Sequence, residues 1–509
     1  MRQFRPALRG CFPLWIACSA LAAAPADAHE AARAAATESI SAGDLRRHVF
    51  ALADDTLEGR EAGSRGGQAA GGYLGREFRK LKLTAGAGSG GHYQAFGSQY
   101  RNILGIIEGS DPQLKHEYIL VGAHYDHVGY GNSQNSFGPT GFIHNGADDN
   151  ASGAAGLLET AEALASLPTP PRRSVLFALW DGEEKGLLGS KYWVAHPTIP
   201  LKQLKFAFNL DMIGRLRNDR IEIYGGRTAR GLRRTVSEQN SGSRLAIDFV
   251  WTMREDSDHF PFYERGIPVL MLHTGLHDDY HRPSDDVEKL DLAGTERVVR
   301  LLFHLVHELA DRDELAGFRA AARVESRPEP ALPPLAGRLG VSWDASARGE
   351  GVRVKSVAKG SAAESAGIRP GDRIVRFAGE KLSFDAEFRG WLLAATAPVK
   401  LSIERAGTDS PLELVVPLSG SPIKLGVSWR EDDGEPDSVV LVRVVPDSPA
   451  ARAGLAANDR VYEVNGAAFH TSDEFGRLIS ASSGPIELRV ERQGIVRPVV
   501  LKLTVVPGE

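Results

Sequence analysis

The sequence predicts a layered α/β domain followed by two small β-rich domains, and three observations carry that prediction. From about Ser41 to Asp311, apolar strand-like runs alternate with stretches of helical periodicity, as they do where helices pack on a sheet. A proline-rich segment with neither periodicity follows. Beyond it, one motif-bearing stretch occurs twice.

At the N-terminus, Arg2, Arg5 and Arg9 precede an apolar run from Phe12 to Ala24, and Ala26-Asp27-Ala28 fits the small-x-small rule for cleavage. Residues 1–28 therefore read as a signal peptide, and the expected location is periplasmic or secreted. The run is too short to span a bilayer, and no later stretch is long and apolar enough, so no transmembrane segment is expected in the mature chain. The only cysteines, Cys11 and Cys18, fall inside this segment, which leaves no disulfide after cleavage. Trp15-Ile16-Ala17 before Cys18 is a poor context for a lipid anchor.

The α/β domain is placed at 39–311. Its strand candidates are Ile103–Ile107, Tyr118–Gly122, Ser174–Trp180, Phe206–Leu210, Ile221–Tyr224 and Ile267–Leu272. Helices are predicted over Ser152–Leu167, Gly186–Ala195, Thr228–Asn240 and Thr295–Ala310. Val175 to Trp180 is almost wholly apolar, which suits a strand buried on both faces.

Residues 312–336, with Arg327-Pro328-Glu329-Pro330 and Leu332-Pro333-Pro334, read as a semi-stiff linker. The repeat then occupies 337–418 and 423–506. Leu339-Gly340-Val341-Ser342-Trp343 recurs as Leu425-Gly426-Val427-Ser428-Trp429, and Gly371-Asp372-Arg373-Ile374 as Asn458-Asp459-Arg460-Val461. Two copies are too few for a stable solenoid, so two independent small domains are expected.

With 509 residues, 42% of them hydrophobic and 25% charged, the chain is globular and long enough for about three domains. A net charge of -5, and no basic tract, argue against a nucleic-acid partner.

Five stretches carry the chemistry: Gly122–His127, Gly146–Asn150, Asp181–Glu184, Asn209–Asp211 and Asp279–His281. They supply imidazoles and carboxylates without thiols, mostly just after strand-like runs, where open α/β sheets collect their sites. His124, Asp149, Glu184, Asp211 and His281 are the metal-ligand candidates. Three carboxylates nearly balance two dipositive ions, with Asp149 as the bridge, His124 and Asp211 on one ion, and Glu184 and His281 on the other. Asp126, two residues past His124, is placed to hold that imidazole's second N–H. Adjacent residues cannot easily serve one ion together, so Glu183 is the general base. Tyr280 can donate to a carbonyl oxygen as it becomes tetrahedral. Asp285 is a candidate support for His281, whereas His127, His259, His273 and His277 read as structural or pocket-lining.

These stretches, with Trp180–Ser190, Ser257-Asp258-His259 and Gly275–Asp285, resemble the family 28 metallopeptidases, the dizinc aminopeptidase group of clan MH. The resemblance implies a mixed β-sheet flanked by helices, the zinc exopeptidase fold, with two Zn2+ per chain and a cis peptide after Asp149. Its ligands and base coincide with the residues above. The repeats resemble PDZ domains of bacterial proteases, which implies that the Leu-Gly-Val loops present N–H groups to the C-terminal carboxylate of a peptide ligand. The expected activity is that of an aminopeptidase acting on a peptide or protein substrate. Two rivals are weighed: a glutaminyl cyclase with a single zinc, and a non-catalytic PDZ scaffold.

Overall fold

The computed structural model describes residues 26–503, except 89, 327–336, 345–349, 384, 397, 421 and 447. All but the last three residues of the expected signal peptide, both cysteines, and residues 327–336 of the expected linker lie outside the described residues. Among the described residues, no helix is long and apolar enough to cross a membrane.

The first domain is built on a mixed sheet of nine strands: β1 (Thr84–Ala85), β2 (Tyr93–Phe96), β3 (Tyr100–Ile107), β4 (Tyr118–His124), β5 (Ser174–Trp180), β6 (Leu204–Leu210), β7 (Arg220–Tyr224), β8 (Ala246–Val250) and β9 (Val269–His273). Their order is β1-β3-β5-β4-β6-β9-β7-β8, with β2 paired to β3. The central four, β5-β4-β6-β9, are parallel. Antiparallel pairings of β3 with β5 and of β7 with β9 flank them. Every residue of β5 is buried, as its apolar run requires when helices cover both faces.

Among the described residues, eight helices accompany the sheet: α1 (Ala26–Ser39), α2 (Ala42–Leu52), α3 (Arg65–Lys80), α4 (Gly153–Ala165), α5 (Leu188–Ala195), α6 (Leu232–Gln239), α7 (Phe260–Glu264) and α8 (Leu292–Asp311). The largest core joins α2, α3, α4 and α8 to one face of the sheet through residues such as Leu74, Leu158, Val299 and Phe303. On the other face Trp180, Trp193 and Phe262 pack with Leu120 and Leu176. Burying side chains of this size contributes about 1.5–3 kcal/mol each, so two such layers hold the strand ends in fixed positions.

Part of the segment expected as linker belongs to this domain. Residues 312–326 lie against it, with Leu315 packed on the core and Phe318 against Tyr263. Arg319 donates to Glu325 and Asp433. The segment's lack of periodicity reads as linker, but Arg319 pairs across a domain boundary.

The repeats form two separate units, each with its own sheet and core. Val341–Trp343, Val352–Val357, Arg373–Phe377, Val399–Glu404 and Leu412–Val416 in the first correspond to Val427–Arg430, Val439–Val444, Arg460–Val464, Ile486–Arg492 and Ile495–Leu501 in the second. The recurring Leu-Gly-Val has a steric cause. Gly340 and Gly426 take φ of +79° and +83°, and a Cβ there would sit 2.2 and 2.1 Å from the Cβ of Ser361 and Ser448.

Candidate metal centre

The parallel strands end side by side, and their carboxyl ends carry the expected donors. His124 is the last residue of β4 and stands in register with Trp180 at the end of β5. Glu183 and Glu184 follow that end after the left-handed Gly182, and Asp211 directly follows β6. Asp149 and His281 come from loops, one leading into α4 and one after β9.

The structure brings together all five residues proposed as ligands. His124 Nε2 lies 3.3 Å from Asp149 Oδ1 and 3.5 Å from Asp211 Oδ1. His281 Nε2 lies 3.1 Å from Asp149 Oδ2 and 3.1 Å from Glu184 Oε2. The two oxygens of Asp149 thus face two different donor groups, the placement a bridging carboxylate needs. Glu183 stands with His124 and Glu184 in a third group.

Around these donors the backbone is held by side chains. The Asp126 carboxylate accepts from the N–H groups of Glu183 at 3.0 Å and Glu184 at 3.3 Å. Asp285 Oδ2 accepts from the N–H groups of Asp148 at 3.0 Å and Asp149 at 3.1 Å. The Asp149–Asn150 peptide is cis, and Asn150 bonds the Leu210 carbonyl at 2.9 Å, tying this loop to the end of β6. Ser257 donates to Asp211 Oδ2 at 2.6 Å and accepts from Asn209 at 2.7 Å.

Two expected contacts are different. The Asp126 carboxylate is 3.8 Å from His124 Nδ1, too far for a hydrogen bond, and it is the Asp126 carbonyl that lies 3.2 Å from that nitrogen. The chain turns after β4, so the Asp126 side chain points to the glutamate loop instead of following the two-residue alternation of a strand. Asp285 likewise supports the Asp148–Asp149 loop and not His281.

The Tyr280 ring lies tilted against His281 with centroids 3.9 Å apart and is flanked by Phe137 at 5.8 Å. Burial and the nearby Asp149, Glu184, Asp211 and Glu183 push its phenol well above the usual range, so it keeps its proton and remains a donor. Of the histidines set aside, His277 lies 3.1 Å from Asp148, His273 accepts from Gly275, and His259 is buried beside Tyr224.

His127, expected to be structural or pocket-lining, stands among the donors. Its Nδ1 lies 2.8 Å from Glu184 Oε1 and 3.7 Å from Asp149 Oδ2, within the group formed with His281. The third position after His124 falls beyond the strand, where no periodicity predicts direction. Arg60 was also missed. Fully buried, it donates to the carbonyls of Tyr125 at 2.9 Å, Leu52 at 2.7 Å, Asn145 at 2.6 Å and Gly146 at 2.9 Å, binding the two ligand loops together. Burial lowers its pKa to about 10, so it remains charged at neutral pH. Asp258, fully buried, is a third: burial pushes its carboxyl up to about 7, with Asp211 acting in the same direction against His124 and Ser190. Its Ser-Asp-His motif was the available signal.

The electrostatics of the donor set fit a pair of cations. Burial alone would lower His124 and His281, yet Glu183, Asp149 and Asp211 drive His124 well up, and Asp149 and Glu184 push His281 up to about 10. Burial pushes Glu183 well up, with Glu184, Asp258 and Asp211 reinforcing it and His124 opposing. A carboxylate cluster that draws protons onto its imidazoles is one short of positive charge. Metal cations would supply that charge, and all the donors are N and O, as zinc accepts.

Comparison with known proteins agrees with the resemblance. Residues 102–306 match the model of peptidase family M28, and residues 353–405 and 440–492 each match that of the PDZ domain. The chain therefore carries a peptidase family M28 domain followed by two PDZ domains. It is 31% identical over 225 residues to aminopeptidase YwaD of Bacillus subtilis (strain 168), covering 42% of this chain and 46% of that protein. Leupeptin-inactivating enzyme 1 of Streptomyces exfoliatus is 29% identical over 275 residues, covering 53% and 57%. The chain thus spans about half the length of the curated relatives it matches. Among solved structures, the LapA aminopeptidase of Legionella pneumophila aligns with a TM-score of 0.47 at 21% identity, over 56% of this chain and 76% of that one.

Proposed function

We propose that this chain is an exported zinc-dependent aminopeptidase with a dinuclear site. The observation that carries the reading is the meeting of two donor groups on the two oxygens of Asp149, with Glu183 beside them. His124, Asp149 and Asp211 would hold one ion, and Asp149, Glu184 and His281 the other. When bound, the zinc pair would polarise a substrate carbonyl and make water acidic enough to attack near neutral pH. Glu183 takes the proton of the attacking water and passes it to the leaving amine. Tyr280 donates its O–H to the oxygen that gains charge. Asp126 holds the turn that carries Glu183 and Glu184 by accepting from both of their N–H groups.

Phe137, 63% exposed, sets an aromatic wall beside this pair, its ring 6.1 Å from that of His281. We assign it to contact with an apolar substrate side chain. Export is supported by the charged and apolar pattern of residues 1–28, and a mature N-terminus after Ala28 in protein recovered outside the cytoplasm would establish it. In the second PDZ domain, Leu425, Gly426 and Val427 face Ser472, Gly476 and Ile479 across a groove that suits a peptide C-terminus. A single-zinc cyclase is the weaker reading, because both donor groups are complete.

The test is hydrolysis of aminoacyl anilides by zinc-loaded protein. Glu183→Ala should abolish turnover with zinc content retained, and unchanged turnover defeats the base assignment. N-blocked peptides should not be cut by an aminopeptidase.

A further inference from the structure

We infer that the two metal positions are unequal, because His127 joins Asp149, Glu184 and His281 as a fourth protein ligand and closes one of them. The inference rests on the dinuclear reading above. The position at His124, Asp149 and Asp211 has three protein donors and so leaves a coordination place for a non-protein ligand. Structural zinc sites have four protein ligands and catalytic ones three, so the pair would divide the work.

Each histidine stands near both carboxylates, at separations close to those between ligands of one tetrahedral ion, with Glu184 turning Oε1 to His127 and Oε2 to His281. Zinc–ligand lengths of about 2.0–2.1 Å put tetrahedral ligands about 3.3 Å apart. Here His127 Nδ1 is 2.8 and 3.7 Å from the two carboxylates, and His281 Nε2 is 3.1 Å from each. The ligand atoms of all four residues lie within 4.8 Å of one another. The His127 ring cannot turn away. Gly146 lies flat on it, where a Cβ would meet its Cγ and Cδ2 at 2.5 Å, and His281 meets it edge-on with centroids 5.5 Å apart. The competing role is a hydrogen bond from Nδ1 to Glu184 alone. That role needs no approach to Asp149, whereas a fourth ligand must face both carboxylates, and His127 does. Its Nε2 has no protein partner and does not distinguish the two.

The probe is Co2+, added stepwise to chelator-stripped full-length protein and followed by visible absorption and calorimetry. Wild type should bind two ions in distinct steps, the tighter one giving the intense bands of a four-coordinate site. His127→Ala and His127→Asn should both weaken that step at least tenfold and alter its bands, while the second step stays unchanged. Asparagine keeps an N–H for Glu184, so wild-type affinity in His127→Asn with loss in His127→Ala would overturn the inference in favour of a hydrogen-bonding role. Two equal steps in wild type, or unchanged isotherms and bands in both variants, would also overturn it. A single ion in wild type refutes the metal pair itself, yet its loss in both variants would still place His127 on that ion. Matching far-ultraviolet dichroism of the stripped proteins guards against misfolding.

Discussion

Arg227 of the first domain and Asp432 of the second PDZ domain form a two-point ion pair, with guanidinium nitrogens 2.9 and 2.8 Å from the two carboxylate oxygens. Asp432 is buried and also receives Arg460 from its own domain. Beside it, Glu435 caps the start of α6 through the N–H groups of Arg233 at 2.7 Å and Arg234 at 3.1 Å. Arg233 in turn pairs with Glu491, and backbone bonds join Gly231 to Gly434 and Ile247 to Gln493. This PDZ domain is therefore fixed to the β7–β8 edge and α6 of the peptidase domain, and its loss would expose buried charge.

Removing one member of such a buried network strands the others, at a cost of about 3–5 kcal/mol. Asp432→Ala is expected to destabilise the chain by that amount, and to split off an early calorimetric transition. A variant that melts as wild type does would show that the domains are not coupled here.

The same network makes docking sensitive to acid. Arg319, through its hydrogen bond, and Arg227 hold Glu325 down to about 2 from an ordinary 4.5, against burial. A depressed carboxylate contributes stability that is complete above the unfolded value and fades as pH falls through the folded one. Stability should therefore decline between about pH 4.5 and 2, and Glu325→Gln should flatten that decline. Glu435 has the opposite sign. Burial pushes it up to about 7, so it favours the unfolded chain increasingly as pH rises from 4.5 to 7, and Glu435→Gln should remove that slope. Melting temperatures across both windows check the two signs separately.

Arg60 links the candidate metal loops through the carbonyls of Tyr125, Asn145 and Gly146 and reaches that of Leu52 at the end of α2, and no shorter or non-planar side chain reaches them all. Leaving buried carbonyls unpaired costs about 1–3 kcal/mol each. Arg60→Lys should lower stability by about 3 kcal/mol and reduce bound zinc, read by denaturant unfolding and metal analysis. Wild-type metal content in that variant would remove Arg60 from the account of the site.

Phe137→Ala should leave stability unchanged, since the ring is mostly exposed, and lower kcat/KM for leucyl or phenylalanyl anilides about tenfold. Alanyl substrates should lose little. An equal loss for all substrates would point to a disturbed metal loop instead.

The meeting of the five proposed ligands was legible because each follows an apolar run or sits in a short acidic or histidine motif, and the sheet then gathers the strand ends. What those residues touch was less legible. Asp126 and Asp285 were correctly marked as near the site, but backbone turns direct their carboxylates to N–H groups and not to imidazoles. His127 depends on a loop path that Arg60 sets from 67 positions upstream in sequence. The strands β1, β2 and β8 are short edge elements with little pattern to read. Helix α3 was missed because its glycines lower helix propensity, yet they admit close neighbours. A Cβ at Gly66 would lie 1.8 Å from the Leu57 carbonyl oxygen, and one at Gly75 2.1 Å from the Tyr93 hydroxyl.

The most direct measurement is anomalous diffraction at the zinc edge from crystals of the metal-loaded protein. The account predicts two peaks about 3.5 Å apart, one within reach of His124 and Asp211 and the other of Glu184, His281 and His127, with Asp149 between them. A single peak, or none among these side chains, would contradict it.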